Sequence, residues 1–410
     1  MDVFKIHIVA GLVTIVLLIS YIYIRISYGF WFYQPVFHLY DIYSYLFPCG
    51  IVEYDMPRYT KFTNLEDITM FSVHDLLLKN NYKWKQFVNF IGSQYHRAGD
   101  NSFLPRLEHI TPYFTNHSHP CFVSFYYDRI FLENVGKSTM IPTNKIVSVM
   151  TSRPMEIIFN KTRKTERIRA YYIDYLCVHK DYRKRGIAPE IIQTHYYSQR
   201  RRNKDIHVNL FKREGELTGI VPLCIYTSHL FPLSHTLQIG ALPPYLNVVE
   251  CTKTNLFYLS DFMKDKRDLF DLNICCEVSN MLDLVNSGNY LMYFIIESGN
   301  VNEEKIVGCI ILKRTRVFIQ KDKEMLSCIA SIKDPDLSDE FFYEAFKIAL
   351  SKIKIHVSYL MVENISHNNH IVNEMQRNGE HAIVVSPMAY FFHNFVYNTA
   401  LAHKVIVLGT

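Results

Sequence analysis

The chain has 410 residues, of which 49% are hydrophobic and 20% charged, and its formal net charge is +5. These proportions exclude a disordered protein and allow a large core, in two domains or one large duplicated unit. A charge of +5 over this length gives no reason to expect a nucleic-acid partner. The nine cysteines form no Cys-x-x-Cys pair, which is typical of reduced thiols and not of a disulfide framework.

The N-terminus contains an uncharged apolar run over residues 8–24, whose 17 residues reach the lower limit for a membrane-spanning helix. Bulky tyrosines and Arg25 follow the run, where a cleaved signal peptide needs small residues. We therefore predict an uncleaved membrane anchor over residues 1–27, with a signal peptide as the alternative. Lys5 and Arg25 flank the run and leave its orientation undecided, whereas the reduced thiols favour a cytoplasmic location for the remainder.

The spacing of apolar residues changes along the next segments of the chain. Residues 26–60, rich in aromatics and prolines, are expected to form an arm over a surface, and residues 65–114 show the three- and four-residue apolar spacing of helices. Alternation and strand-favouring residues then predict four strands and a helix. The predicted strands are 121–127, 145–150, 156–160 and 170–178, and the helix is 189–202. Its basic end, Arg200-Arg201-Arg202, is expected to be solvated.

The second half repeats this order in outline. The patterns predict a hairpin over residues 289–297 and 306–316, a strand over 325–332, a helix over 339–352 and a strand over 358–362. The last of these strands is followed by Glu363-Asn364-Ile365-Ser366, which contains no basic residue. The order predicts a duplicated unit whose second copy lacks the basic turn of the first.

That basic turn is the strongest chemical signal in the sequence. Residues 175–189 read as a strand that runs into Arg183-Lys184-Arg185-Gly186 and then into the helix. Gly186 permits close approach of the backbone to a ligand, and free N–H groups at a helix start suit a pyrophosphate. Taken alone, the turn is equally compatible with an ordinary solvated feature.

Wider matches point to a family. The spacing Arg-x-x-Gly-x-Ala resembles the acyl-CoA motif of GNAT acyltransferases, and Leu176-Cys177-Val178-His179-Lys180 with Ala188-Pro189 resembles the signature of N-myristoyltransferases. Two further segments match that family in the same order, one before and one after the signature. They are residues 28–36, similar to its Phe-Trp-x-x-Gln-Pro-Val segment, and residues 390–395 with Lys404-Val405, similar to its final aromatic strand and terminus. The chain also resembles N-myristoyltransferase-like proteins of large DNA viruses.

The resemblance implies an α/β (α+β) protein with a duplicated GNAT-like acyl-CoA N-acyltransferase fold behind one N-terminal transmembrane helix. Residues 28–240 form the expected acyl-CoA-binding half and residues 241–410 the expected peptide-binding half. The activity that the resemblance implies is transfer of a long acyl group, with myristoyl as the expected one, from acyl-CoA to the N-terminal glycine of proteins. Acyl-CoA is then a co-substrate with no permanently bound cofactor, the partner is the N-terminal segment of an acceptor, and the enzyme is a cytoplasm-facing monomer.

The same resemblance assigns site residues. Backbone amides of Tyr175 and Leu176, on a strand that must splay, form the oxyanion hole, and the α-carboxylate of Thr410 is the base. The cofactor-binding residues are Tyr28, Gly29, Phe30, Trp31, Tyr175, Leu176, Cys177, Val178, Arg183, Lys184, Arg185, Gly186, Ile187 and Ala188.

Two departures from the family leave alternatives open. Residues 95–101 retain one acid where the family has an acidic run, and residues 211–216 replace a small uncharged segment. Because both lie on the expected peptide side, a GNAT-type acetyltransferase, a lysine acceptor, or an inactive membrane-tethered acyl-CoA-binding protein remain possible readings. Cys177 is expected to be packing, and the His117/His119 and His367/His370 pairs lack a third ligand, so no metal site is predicted.

Overall fold

The computed structural model describes residues 3–95, 102–134, 139–160, 166–215, 219–233, 238–299, 304–319, 323–355 and 357–410. Within them the α-helices are α1 (Val3–Tyr28), α2 (Ile42–Leu46), α3 (Val73–Lys79), α4 (Asn81–Gln94), α5 (Leu107–Ile110), α6 (Ile187–Arg202), α7 (Phe257–Asp265), α8 (Val278–Asn286), α9 (Asp339–Ser351) and α10 (Asn368–Arg377).

The strands are β1 (Gly50–Ile51), β2 (Ile68–Ser72), β3 (Ser102–Phe103), β4 (Phe122–Asn134), β5 (Thr139–Phe159), β6 (Glu166–Val178), β7 (Val208–Glu214), β8 (Cys224–Pro232), β9 (Leu246–Glu250), β10 (Leu272–Cys275), β11 (Tyr290–Ser298), β12 (Glu304–Ile319), β13 (Lys323–Lys333), β14 (Val357–Glu363), β15 (Val384–His393), β16 (Phe395–Val396) and β17 (Val405–Leu408). Short 3-10 helices cover Gly29–Tyr33, Thr111–Phe114, Lys180–Tyr182, Arg267–Leu269 and Ala402–Lys404.

The first half is built on three antiparallel strands, β4, β5 and β6, followed by a helical crossover. After β6 the chain passes through α6 and returns as β7, which pairs with β6 in parallel. A parallel return needs such a crossover because a tight turn only joins antiparallel strands. The strand, turn and helix predicted around the basic segment are therefore confirmed.

The second half has the same topology. Strands β11, β12 and β13 are antiparallel, and β13 is joined through α9 to a parallel β14. The two halves also exchange strands. Strand β8, which follows β7 in the first half, pairs with β14. Strand β15, near the end of the second half, pairs with β7 and β8. One mixed sheet thus runs through both halves, and the duplicated α/β architecture is confirmed.

Two element predictions were wrong. Residues 65–114 are not wholly helical, because Ile68–Ser72 forms a strand that pairs with β4. The two strands predicted over 145–150 and 156–160 are a single 21-residue strand, β5, which pairs in turn with β4, β6 and β10. The residues between them, which were predicted to form a turn, pair with β4 and β6 within the sheet.

The helix α1 stands apart from this core. Most of α1 belongs to the stretch His7–Tyr33, the one among the described residues that is long and apolar enough to cross a membrane, and the most apolar part of that stretch is not buried. A soluble protein rarely leaves so large an apolar surface uncovered. The predicted anchor segment is therefore present as an exposed apolar helix.

Candidate active site

A cavity of about 860 Å³ lies where the two halves share the sheet. Its volume falls within the range usual for ligand pockets. Aromatic side chains line one part, including Trp31, Tyr95 and Phe211, whereas charged side chains line another, including Asp174, Lys212, Lys313 and Glu363. The three residues predicted to be catalytic, Tyr175, Leu176 and Thr410, all lie in this lining.

Strand β6 departs from regular geometry where the oxyanion hole was predicted. Its pairing with β7 ends at Ile173, and the register with β5 shifts between Val149 and Thr151. Tyr175 adopts a left-handed backbone conformation with φ of 49°. Such a conformation costs about 1–3 kcal/mol and persists only when packing enforces it. The expected splay of the strand at residues 175 and 176 is thus present.

A ring of aromatic side chains holds Tyr175 in this conformation. Its ring centroid lies 5.9 Å from that of Phe87 and 5.7 Å from that of Tyr95, and Phe114 completes the contact at 6.4 Å. Tyr175 is buried, whereas the next residue, Leu176, is exposed towards the cavity. Phe87 is on α4, so the apolar face of that helix supports the strained strand.

The backbone N–H of Tyr175 is occupied in this structure. It donates a hydrogen bond to Oδ1 of the adjacent Asp174 at 2.8 Å. The other carboxylate oxygen of Asp174 accepts from Arg153 Nη1 at 3.0 Å. Any anion that uses the Tyr175 amide must therefore displace the Asp174 carboxylate.

Arg153 is the most deeply buried cation of the site. Its second amino group donates to the carbonyl of Gly409 at 2.9 Å, so the guanidinium joins the splayed strand to the final residues. The rings of Tyr113 and Tyr172 lie 5.0 Å from its central carbon. Charge pairing and ring contacts together offset the cost of removing this cation from water.

The final residues form a buried strand, as predicted. Strand β17 pairs in parallel with β10, and Thr410 is only 7% exposed. A main-chain oxygen of Thr410 accepts hydrogen bonds from the Tyr290 hydroxyl at 2.8 Å and from Lys313 Nζ at 2.7 Å. Residue 410 is therefore held from two strands of the second half, β11 and β12.

A further ion pair lies in the same cavity. Lys212 Nζ is 2.7 Å from Glu363 Oε2, which also accepts from the Tyr226 hydroxyl at 2.7 Å. Lys212 belongs to the segment 211–216 that departs from the family pattern. The departure thus introduces a charge into the cavity wall together with a partner for it.

The basic turn lies outside the cavity, at the start of α6. Gly186 precedes the helix with φ of 80°, and Lys184 is also left-handed with φ of 62°. Arg183 donates to the carbonyls of Val178 and Gln94, both at 3.3 Å, and Arg185 lies 5.1 Å from the ring of Tyr182. Arg183, Lys184 and Arg185 are all exposed, beside the free N–H groups at the start of a 16-residue helix. This arrangement suits anionic phosphates.

The N-terminal segment packs against α6 and β7. Trp31 stacks on Phe211 with centroids 5.7 Å apart, and Phe30 contacts Phe62 at 5.1 Å. The ring of Tyr28 rests on Gly219, where an added Cβ would stand 1.8 Å from it. Trp31 thus lines the cavity, whereas Tyr28, Gly29 and Phe30 pack beside it without lining it.

Three residues after Trp31, the buried Gln34 donates a hydrogen bond to Gln193 of α6 at 2.9 Å. Its Oε1 lies 3.3 Å from Nε2 of His393 on β15. The glutamine of the predicted Gln-Pro-Val segment therefore binds the first half to the strand exchanged between halves.

The basic end of α6 differs from its prediction. Arg200 is not solvated but buried, and it donates to the carbonyls of Lys204, Ile206 and Tyr54. Arg201 and Arg202 are exposed. The end of α6 is thus fixed to the chain that leaves it, a use of arginine that periodicity alone does not reveal.

Cys177 is buried, and burial raises its pKa to about 12. It is therefore a protonated thiol at neutral pH and an unsuitable nucleophile. Among the described residues no three His, Cys, Asp or Glu side chains are grouped as for a metal ion. Of the altered acidic segment, residues 96–101 lie outside the described residues, as does Glu216.

No family model matches the sequence, and no curated protein matches it. Solved structures do match the fold of this chain. A crystal structure of the Saccharomyces cerevisiae N-myristoyltransferase with bound myristoyl-CoA is similar over 92% of this chain and 94% of that one, with a TM-score of 0.68 and 12% identity. The chain has the N-myristoyltransferase fold. A second structure of the yeast enzyme with myristoyl-CoA gives a TM-score of 0.67 over 92% and 90% of the two chains, and one with inhibitors gives 0.66 over 92% and 93%, both at 12% identity.

On this N-myristoyltransferase fold, several charged residues of the site were not found from the sequence. They are Arg153, Asp174, Lys313 and Glu363. A signal existed for two of them, since Arg153 lies between two mostly apolar stretches of β5 and Lys313 directly follows the apolar residues Cys309 to Leu312 of β12. Charged residues are rarely buried unless paired. The sequence did not show which residue each of these charged side chains pairs with.

Proposed function

We propose that this protein is an acyl-CoA-dependent N-acyltransferase that moves a long acyl group, myristoyl by preference, to the N-terminal glycine of acceptor proteins. The observation that carries the proposal is the meeting of the splayed residues 175 and 176 with Thr410 in one cavity, behind a basic helix start. Acyl transfer from a thioester needs an oxyanion site and a neutral amine, and these groups can provide both.

Acyl-CoA is proposed to bind across the first half. Arg183 to Ala188 hold its phosphates, residues 175–178 bind along its thioester arm, and Tyr28 to Trp31 cover it. The aromatic part of the cavity receives the acyl chain. Each methylene buried there contributes about 0.8 kcal/mol, so chain length is selected by the space available.

The oxyanion is proposed to accept hydrogen bonds from the amides of Tyr175 and Leu176. For this the Asp174 carboxylate must leave the Tyr175 amide, and its bond to Arg153 gives it a position to which it can withdraw. Removing one oxyanion donor typically costs about a hundred- to a thousandfold in rate. An amide that stays occupied would instead favour the second candidate, an inactive acyl-CoA-binding protein held at a membrane.

The base is proposed to be the α-carboxylate of Thr410, which requires that the protein end there. Charge balance supports this assignment. Arg153, Lys212 and Lys313 form one group of interacting buried cations, of which Lys212 and Lys313 line the cavity, and Asp174 and Glu363 pair with only Arg153 and Lys212. A carboxylate at Thr410 provides the third anion, and an unpaired buried cation is costly.

The exposed apolar helix α1 is proposed to be a single-pass anchor, with residues 28–410 facing the cytoplasm as a monomer. Residues 28–240 serve mainly acyl-CoA and residues 241–410 mainly the peptide. One myristoyl chain binds membranes only weakly, so an anchored enzyme would release its product beside a bilayer. The resemblance to proteins of large DNA viruses stays a prediction.

The test is thiol release by the full-length protein in lipid nanodiscs. Myristoyl-CoA and acetyl-CoA are each supplied with a Gly-initiated peptide and with an Ala-initiated control. Release that requires both myristoyl-CoA and the N-terminal glycine supports the proposal. Release from acetyl-CoA alone supports an acetyltransferase, and acyl-CoA binding without release supports the inactive binding protein.

A further inference from the structure

A second cavity, of about 340 Å³, adjoins the main cavity of about 860 Å³. Arginine dominates its lining. The arginines are Arg106, Arg314 and Arg316, and the other lining residues are Leu104, His109 and Phe318. His109, Arg314 and Arg316 also line the main cavity, so the two spaces share a wall. We call the three arginines the arginine site.

Strand β12 leads from the proposed base to the arginine site. Lys313 contacts Thr410, and residues 314–317 continue the wall of the main cavity. Residues 315–317 form no pairing with β13, and Arg316 has a left-handed backbone with φ of 57°. A residue with a side chain rarely adopts this conformation, and strained backbone of this kind collects at ligand sites.

The arginine site carries more positive charge than its carboxylates neutralise. Glu324 accepts two hydrogen bonds from Arg314, at 2.6 and 3.2 Å, whereas Nη1 of Arg316 lies 3.8 Å from the same carboxylate. Arg106 is 3.6 Å from Glu108, but both side chains are exposed, so this pair contributes little. In the part of the chain that the structure describes, three guanidinium groups thus share two carboxylates.

Arg316 is the buried member of the site. It is 8% exposed, and its Nε has no hydrogen-bond partner within the described residues. A buried charged donor that lacks a partner is costly, and a guanidinium suits a carboxylate or a phosphate through two parallel hydrogen bonds. Burial and the repulsion from Arg316 lower the pKa of His109 to about 4, so the positive charge of the site comes from its arginines.

We propose that the arginine site binds an anionic side chain, a carboxylate or a phosphorylated residue, in the N-terminal segment of the acceptor. This inference rests on the proposed function and deepens it by naming the class of acceptor. With the acceptor's amine beside Thr410, the residues that follow it extend along β12. Arg316 lies three residues beyond Lys313, or about 10 Å at about 3.3 Å per residue. The anionic side chain is therefore that of about the third to fifth residue of the acceptor.

The test uses Gly-initiated peptides that differ in one residue, with Glu, Gln, Lys or phosphoserine at each of positions three to five. The full-length protein in nanodiscs is assayed for kcat/KM with myristoyl-CoA. Peptide affinity is measured by fluorescence anisotropy with a non-hydrolysable thioether analogue of myristoyl-CoA. At one position the Glu peptide should exceed the Gln peptide about tenfold in both properties, and the Lys peptide should be the weakest. The ratio of Glu to phosphoserine distinguishes the two sources of negative charge.

Variants of the site test which residue confers the preference. Arg316→Gln should lower kcat/KM for the Glu peptide about tenfold more than for the Gln peptide. Arg316→Lys keeps the charge without the paired donors and should retain part of the preference. Arg106→Gln is an exposed change that leaves the core intact, and it should reduce the preference by a smaller factor. Arg167→Gln is the matched control, because it removes a strand arginine whose ion pair with Glu156 spans 3.7 Å, and it should keep the full preference.

Equal kcat/KM and equal affinity for Glu and Gln peptides at all three positions would overturn the inference and leave the proposed function in place. A loss in Arg316→Gln that is the same for both peptides would also overturn it, because it indicates a structural role. Weaker binding of myristoyl-CoA by Arg316→Gln would assign the site to the CoA phosphates instead. Absence of turnover with every peptide overturns the proposed function, and the anisotropy measurement then decides whether the site binds the anionic peptide.

Discussion

The buried His195 on α6 makes the stability of the fold depend on pH. Its side chain is buried, with Nδ1 2.8 Å from Ser124 Oγ and Nε2 2.9 Å from Ser152 Oγ. Burial lowers the pKa of this imidazole to about 3. A neutral imidazole thus joins α6 to strands β4 and β5, directly behind the cavity.

The sign of the pH effect follows from that depression. Between about pH 6.5 and 3 the unfolded chain binds a proton at His195 that the folded chain does not, so stability falls as pH falls through this window. One such residue contributes a slope of about 1.4 kcal/mol per pH unit. His195→Asn should lower the free energy of unfolding at pH 7.5 and reduce its dependence on pH between 6 and 4.5 by about that slope.

The measurement is urea unfolding at pH 7.5, 6 and 4.5. The exposed His74→Asn is the control and should change neither the midpoint nor the slope. A pH dependence that is identical in His195→Asn and the wild type would contradict the assignment of this neutral imidazole.

At the scale of elements, the segment from β6 through the basic turn to α6 could be predicted because its signals are local. A strand, a left-handed glycine and a helix start follow one another within residues 170–202. The long strand β5 could not be predicted in one piece, because its continuity comes from three different neighbours and not from its own alternation. Tertiary pairing there overrides local pattern.

The two ends of α6 offer a test of the phosphate site. Arg185→Ala removes an exposed cation at the start of the helix, whereas Arg202→Ala removes the same side chain at its other end. Because a hydrogen bond to a charged group contributes about 1.5–3 kcal/mol, Arg185→Ala should weaken myristoyl-CoA binding about tenfold or more and reduce its salt dependence.

Isothermal titration calorimetry at two salt concentrations measures this effect, with Arg202→Ala expected to bind as the wild type does. Equal affinities for the two variants would show that the CoA phosphates do not bind at this turn.

Gly186→Ala tests the backbone of the same turn. An added Cβ meets nothing within 4 Å, so any loss of affinity comes from the strained φ of 80° at the helix start.

At the scale of the whole molecule, the exposed helix α1 predicts membrane association. Its apolar residues from Ile8 to Ile22 are exposed, and α1 meets the rest of the protein at its C-terminal end, through Tyr21, Arg25 and Tyr28. Full-length protein should float with phosphatidylcholine vesicles in a density gradient, whereas a variant that lacks residues 1–27 should remain at the bottom. Equal flotation of the two would assign membrane binding to another surface.

The proposed catalytic arrangement could be predicted from sequence only through resemblance, because its parts lie far apart in the chain. Arg153, Asp174 and Gly409 come together through β5, β6 and the approach to residue 410. Lys313 joins them from the second half. No local pattern indicates that residues separated by more than two hundred positions share one cavity, and the exchange of β8 and β15 between the halves is equally invisible to periodicity.

Because residues 409 and 410 are held by both halves, the end of the chain provides a test at the level of the whole molecule. Adding one glycine after Thr410 moves the terminal carboxylate by one residue and leaves a neutral amide beside Lys313. Gly409 stands with φ of 95°, and a Cβ added there would lie 2.7 Å from the Cys276 side chain, so sliding β17 back by one residue would place Thr410 where a side chain does not fit. We expect turnover to fall by about a hundredfold or more, as for loss of a general base, while myristoyl-CoA binding is retained.

Thiol release and calorimetric acyl-CoA binding measure the two properties, and intact mass reports whether the wild-type protein ends at Thr410. Thr410→Ser, which keeps the carboxylate in place, is the matched control and should retain wild-type turnover. If the extended chain turns over normally, the carboxylate is not the base. The burial of Thr410 against Tyr290 and Lys313 would then serve only to fasten the terminal strand across the two halves.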